Sequence, residues 1–114
     1  MNTVNTAKVT DCLRELADAD FQKRVWLASS GSEVSSFTEA ICGLFDDSGL
    51  DVAFDKGHTV FTREIDALLR ELGNAVRAVD EFRPPAELIA DPQMDRVRGL
   101  AAKALSAIER PKSP

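Results

Sequence analysis

From Thr62 to Phe82 the residues Ile65, Leu68, Leu69, Leu72, Val76 and Val79 recur at helical spacing, and Pro84-Pro85 follows at once. A stripe of that period buries only if the chain is helical there, and a proline pair stops a helix from running on. Asp66 and Arg70 stand four residues apart and predict a favourable i, i+4 pair on its polar face. This segment commits the chain to burying one face of a long helix, so its neighbours must supply matching apolar faces.

They do. Val9, Cys12, Leu13, Leu16 and Ala17 predict a first helix over 6–18. Phe21, Val25 and Ala28, with Trp26 and Leu27 beside them, predict a second over 20–30, with Asp18 or Asp20 as its cap and Gly31 as its left-handed stop. Ser36-Phe37-Thr38-Glu39 reads as a capping box ahead of a third helix whose face is Phe37, Ala40, Ile41, Leu44 and Phe45. Ser48-Gly49-Leu50 reads as its Schellman-type ending. After a short turn at 86–90, Asp91-Pro92 gives an N-cap followed by proline at the first helical position. The last helix then carries Met94, Val97, Leu100, Ala101, Ala104, Leu105 and Ile108. The fold class expected is all-α: a compact bundle of about five helices, one domain over 1–114, with 110–114 as a frayed tail.

Residues 46–61, DDSGLDVAFDKGHTVF, show no sustained period and are expected to form an acidic loop, with at most one short turn, between the third and fourth helices. The alternative for Val52-Ala53-Phe54 and Val60-Phe61 is a pair of short strand-like segments.

The chain lacks the signatures of most enzyme classes. It contains no phosphate-binding G-x-x-x-x-G-K-[ST] loop, no G-x-G-x-x-G, no H-E-x-x-H and no G-x-S-x-G. The single histidine, His58, reads as an exposed loop residue, and an EF-hand register started at Asp46 fails at Leu50 and Gly57. Cys12 and Cys42 are both expected as buried free thiols on apolar helical faces. The expectation is a non-catalytic protein with no metal and no cofactor. The start of the chain has no basic, apolar leader and no window approaches a membrane span, which predicts a cytoplasmic protein.

Charge is the feature that points outward. Net charge is −5, which disfavours nucleic acid and anionic membranes as partners. It is also segregated: between Val25 and Asp55 lie six acids (Glu33, Glu39, Asp46, Asp47, Asp51, Asp55) and no lysine or arginine, whereas 96–112 holds five bases and one acid. Such a patch steers a basic protein toward it and raises the association rate.

A compact acidic helical domain with this aspartate-rich Glu39-to-Asp55 stretch resembles, at the level of class, the small immunity proteins that bacteria make against their own nuclease toxins, in colicin and contact-dependent growth inhibition systems. The resemblance implies occlusion of a toxin's basic groove. Asp46, Asp47, Asp51 and Asp55 would then pair with its lysines and arginines, with Phe54 as an aromatic anchor and Glu39 as a further partner-binding residue of the same stretch. The stretch "EVSSFTEAICGLFDDSGL" is also similar to uncharacterised small bacterial helical domains. The competing expectation is a structural or adaptor domain that forms a homodimer or docks a helix through "GLAAKALSAI" of the last helix. A transcription regulator reading its site with Arg96, Arg98 and Lys103 comes third.

Overall fold

The computed structural model describes residues 4–26, 36–80 and 82–110. Among these every regular element is helical. They are α1 (Thr6–Ala17), α2 (Ala19–Phe21), α3 (Phe37–Cys42), α4 (Leu50–Asp55), α5 (Arg63–Arg77), α6 (Pro85–Ala90) and α7 (Pro92–Glu109). Wider, π-type turns prolong α2 over Gln22–Trp26 and α3 over Gly43–Asp47. The radius of gyration, 14.1 Å, is close to the roughly 13 Å of a compact chain this long.

The helix starts are written in short polar side chains that take up otherwise unpaired amides. Asn5 accepts from the Lys8 amide at 3.0 Å, and Asp18 from the Phe21 amide at 3.0 Å. Ser36 accepts from Glu39 at 3.1 Å, Thr62 from Ile65 at 3.1 Å, and Asp91 from Gln93 at 2.9 Å. Gly49, at φ 85°, closes one helical stretch and opens the next, a left-handed conformation that a Cβ disfavours.

α7 lies between α1 and α5 and packs extensively on both. Leu13 and Leu16 of α1, Leu69 and Leu72 of α5, and Met94, Val97, Ala101 and Ala104 of α7 are almost fully buried. Each large side chain so buried contributes roughly 1.5–3 kcal/mol. α1 also packs on the π-type turn after α3, where Gly43 allows close approach: a Cβ there would stand 2.9 Å from Cys12 Sγ and 3.1 Å from Lys8 Cε. Trp26 belongs to this core, edge-on to Phe37 at 6.0 Å between centroids and donating to Glu15 Oε1 at 3.2 Å.

The all-helical expectation holds, and five helical segments are present, the second and third each with a π-type continuation, but the fourth ends at Arg77, short of the expected Phe82 and ahead of Pro84-Pro85. The end of the second helix past Trp26, Gly31, Glu33 and the tail 111–114 lie outside the described residues.

Several details differ from the sequence reading. Residues 46–61 are not one loop, because Leu50–Asp55 form α4 and Asp46-Asp47 belong to the preceding π-type turn. A six-residue helix is under two turns, too short to display a period. Ala86 to Ala90 likewise belong to a six-residue helix, α6, with Pro85 at its start. Leu50 does not fold back in a Schellman motif; its amide donates to the Ser48 hydroxyl and the residue starts α4. The Schellman pattern occurs instead at Gly57 (φ 76°), with His58 N bonded to Ala53 O and Gly57 N to Phe54 O, both at 2.9 Å. Cys42 is exposed, not buried, since it falls on the side of α3 opposite the Phe37, Ala40, Leu44 stripe; Cys12 is buried and free as expected.

Candidate partner-binding groove

α4 and α5 are joined by a loop folded tightly onto the start of α5. Asp66, buried at 2% exposure, accepts from the amides of Val60 at 2.9 Å and Phe61 at 3.1 Å. It does not pair with Arg70, as its spacing suggested, because it lies on the Leu69 and Val76 stripe and faces inward. α4 packs on the π-type turn that precedes it, and a groove of about 310 Å3 opens between α4 and α5.

One wall is the α4 face Asp51, Phe54 and Asp55, one turn of helix. The other is the α5 face Leu69, Arg70, Gly73, Asn74 and Arg77. Phe45 reaches in from the π-type turn, its ring lying against α5 beside Gly73. The Arg70 guanidinium lies over the Phe54 ring at 4.4 Å from its centroid, a cation–π contact. Arg77 donates to Asn74 Oδ1 at 3.0 Å. Neither Asp51 nor Asp55 makes an ion pair or a side-chain hydrogen bond with any described residue.

Burial pushes the Asp51 carboxyl up from its ordinary range; Arg77 pulls it down, and the neighbouring charges of Asp55 and Asp46 push it up again. The groove therefore holds an anionic and a cationic wall.

The expected site residues divide. Asp51, Phe54 and Asp55 line the groove, and Asp46 is close enough for its charge to bear on Asp51. Asp47 bears instead on Cys12, whose thiol burial pushes up against the opposing pull of Lys8, with Glu15, Asp11 and Asp47 adding to the rise. Glu39 is exposed in the first turn of α3 and does not line the groove. Arg70, Asn74, Arg77 and Phe45 were missed. The signal was available in Arg63, Arg70 and Arg77, which recur every seven residues and so share a face of α5.

The competing surfaces are altered by the fold. Of the small residues in α7, Ala101 and Ala104 are fully buried against the rest of the bundle, while Leu105 and Ile108 stay half-buried. Arg98 is turned inward, donating to Gln22 Oε1 at 3.0 Å and to Ile89 O at 3.3 Å, which removes it from any base-reading surface. Among the described residues no three His, Cys, Asp or Glu side chains converge as metal ligands, and no helix is long and apolar enough to cross a membrane.

The class so defined is an all-helical bundle with an open groove of opposed charges. The chain belongs to the family described as a domain of unknown function, DUF7945, which matches residues 4–110. No curated protein and no solved structure gives a match.

Proposed function

We propose that this chain is a non-catalytic protein-binding domain whose groove and adjoining aspartates dock a basic surface of a partner protein. The observation that carries the reading is that Asp51 and Asp55, beside the aromatic Phe54, make no ion pair with any described residue. Charges that a fold does not use remain available to steer and orient a partner. Asp46, Asp47 and Glu39 extend the negative field beyond the groove.

The particular form of this reading is an immunity protein of bacterial, cytoplasmic origin. It would neutralise a cognate toxin, such as a nuclease, by covering the basic groove in which the toxin binds its substrate. The test is growth of cells expressing the toxic region of the neighbouring upstream gene product, with and without this protein. Native protein should rescue growth, and the variant with Asp46, Asp47, Asp51 and Asp55 changed to asparagine should rescue it less. A harmless upstream product, or no protection, would sink the immunity reading. A dimer that persists at high salt would favour self-association through the half-buried Leu105 and Ile108 of α7, because apolar interfaces lack steep ionic dependence.

A further inference from the structure

A purely acidic docking face does not require two arginines. On adjacent helices Asp51 and Asp55 face Arg70 and Arg77, yet no ion pair closes across the groove among the described residues. Arg70 rests on Phe54, and Asn74 holds one N–H of Arg77 at 3.0 Å. That contact orients the guanidinium fork and leaves its remaining donors free. Arg77 is near enough to lower the Asp51 carboxyl against the effect of burial, so the two charges sense each other without meeting. An intervening group with a positive and a negative end satisfies both walls; a simple cation satisfies one and is repelled by the other.

The groove is open to solvent, and its volume of about 310 Å3, at the small end of ligand-binding pockets, accommodates the end of a chain. The half-buried Phe45 supplies apolar surface for methylene groups. We propose that the groove captures the C-terminal basic residue of a partner protein, its side-chain cation between Asp51 and Asp55 and its terminal carboxylate on Arg77 and Asn74. A carboxylate matches the planar guanidinium fork, and chain ends are a recurrent recognition element. The inference rests on the reading of this face as the partner-binding one and names what it recognises.

The test titrates isotope-labelled full-length protein, followed by NMR shifts on α4 and α5, with four probes at low salt. They are the peptide Gly-Ser-Gly-Arg as free acid, the same peptide as C-terminal amide, free L-arginine, and hexa-arginine amide. The free acid should bind roughly fivefold tighter than its amide, the upper range for one exposed ion pair. Arg77→Ala should erase that difference while the amide binds no worse, and Asp51→Asn with Asp55→Asn should weaken both peptides. The amide spectra of each variant report whether it is folded.

Equal affinity for acid and amide overturns the proposal. If hexa-arginine amide still binds in that case, the broader protein-binding reading survives it. If no cationic probe binds at millimolar concentration, both fall. Free L-arginine binding as tightly as the peptide would assign a small molecule to the groove and also overturn the chain-end proposal.

Discussion

Two regions of the molecule use the same chemistry to opposite ends. In the corner between α1, α6 and α7, Gln22 is completely buried and its amide donates to Glu15 O at 3.1 Å and Leu16 O at 2.9 Å. Arg98 closes the network by donating to Gln22 Oε1, to Ile89 O and to Asp95 Oδ1. In the groove between α4 and α5, charges of both signs stand open to solvent and form no ion pair among the described residues. A buried polar atom left unpaired costs more than a made hydrogen bond returns, so the corner has to be complete for the chain to fold. The groove is under no such demand. The contrast separates polar groups that hold the fold from those free to meet something else.

The largest expected effect comes from opening the closed corner. Arg98→Met keeps much of the stem but leaves Gln22 Oε1 without its donor and weakens the satisfaction of Ile89 O. The expected loss is about 2–3 kcal/mol, or about 10 °C in melting temperature for a domain this size. Urea and thermal unfolding of the variant measure it. A loss under about 1 kcal/mol would mean the corner tolerates vacancy as the groove does, and the contrast would dissolve.

The same substitution in the groove is the matched control. Arg70→Met removes only the cation–π contact with Phe54 at an exposed position, an expected loss of about 0.5 kcal/mol. Should it cost as much as Arg98→Met, Arg70 would be a structural clamp and the α5 wall would not be available to a partner.

How far the sequence carried these distinctions follows from the range of each signal. The α5 stripe, the Asp91-Pro92 start of α7 and the left-handed Gly49 were legible because each depends on residues within a turn or two of one another. α4 was not, because Leu50 and Ala53 give a single apolar turn, and the Gly57 stop was read as part of a loop. Cys42 was misplaced although counting at 100° per residue sets it opposite Phe37 and Ala40. The aspartates that line the groove stand out in the sequence by composition alone. Their cationic counterparts do not, because the arginines lie on a different helix and only the tertiary fold brings Arg70 and Arg77 to the same groove as Asp51 and Asp55.

The smallest effect is the most discriminating. Because burial raises the Asp51 carboxyl in the folded chain above its ordinary value of 3.8, the folded state prefers it protonated. That contribution to stability is fully present below 3.8 and is lost as pH rises through the raised folded value. At neutral pH the ionised carboxylate is therefore slightly unfavourable to folding, the pull of Arg77 notwithstanding. Asp51→Asn, which cannot ionise, should give a small rise in melting temperature at pH 7, and the rise should shrink toward nothing as pH is lowered past 3.8. Scanning calorimetry of the two proteins across this range tests the sign. A fall in melting temperature at pH 7 would mean that Arg77 closes onto Asp51 in solution, as Arg98 closes onto Gln22, and that the groove is a shut structural element rather than an open site.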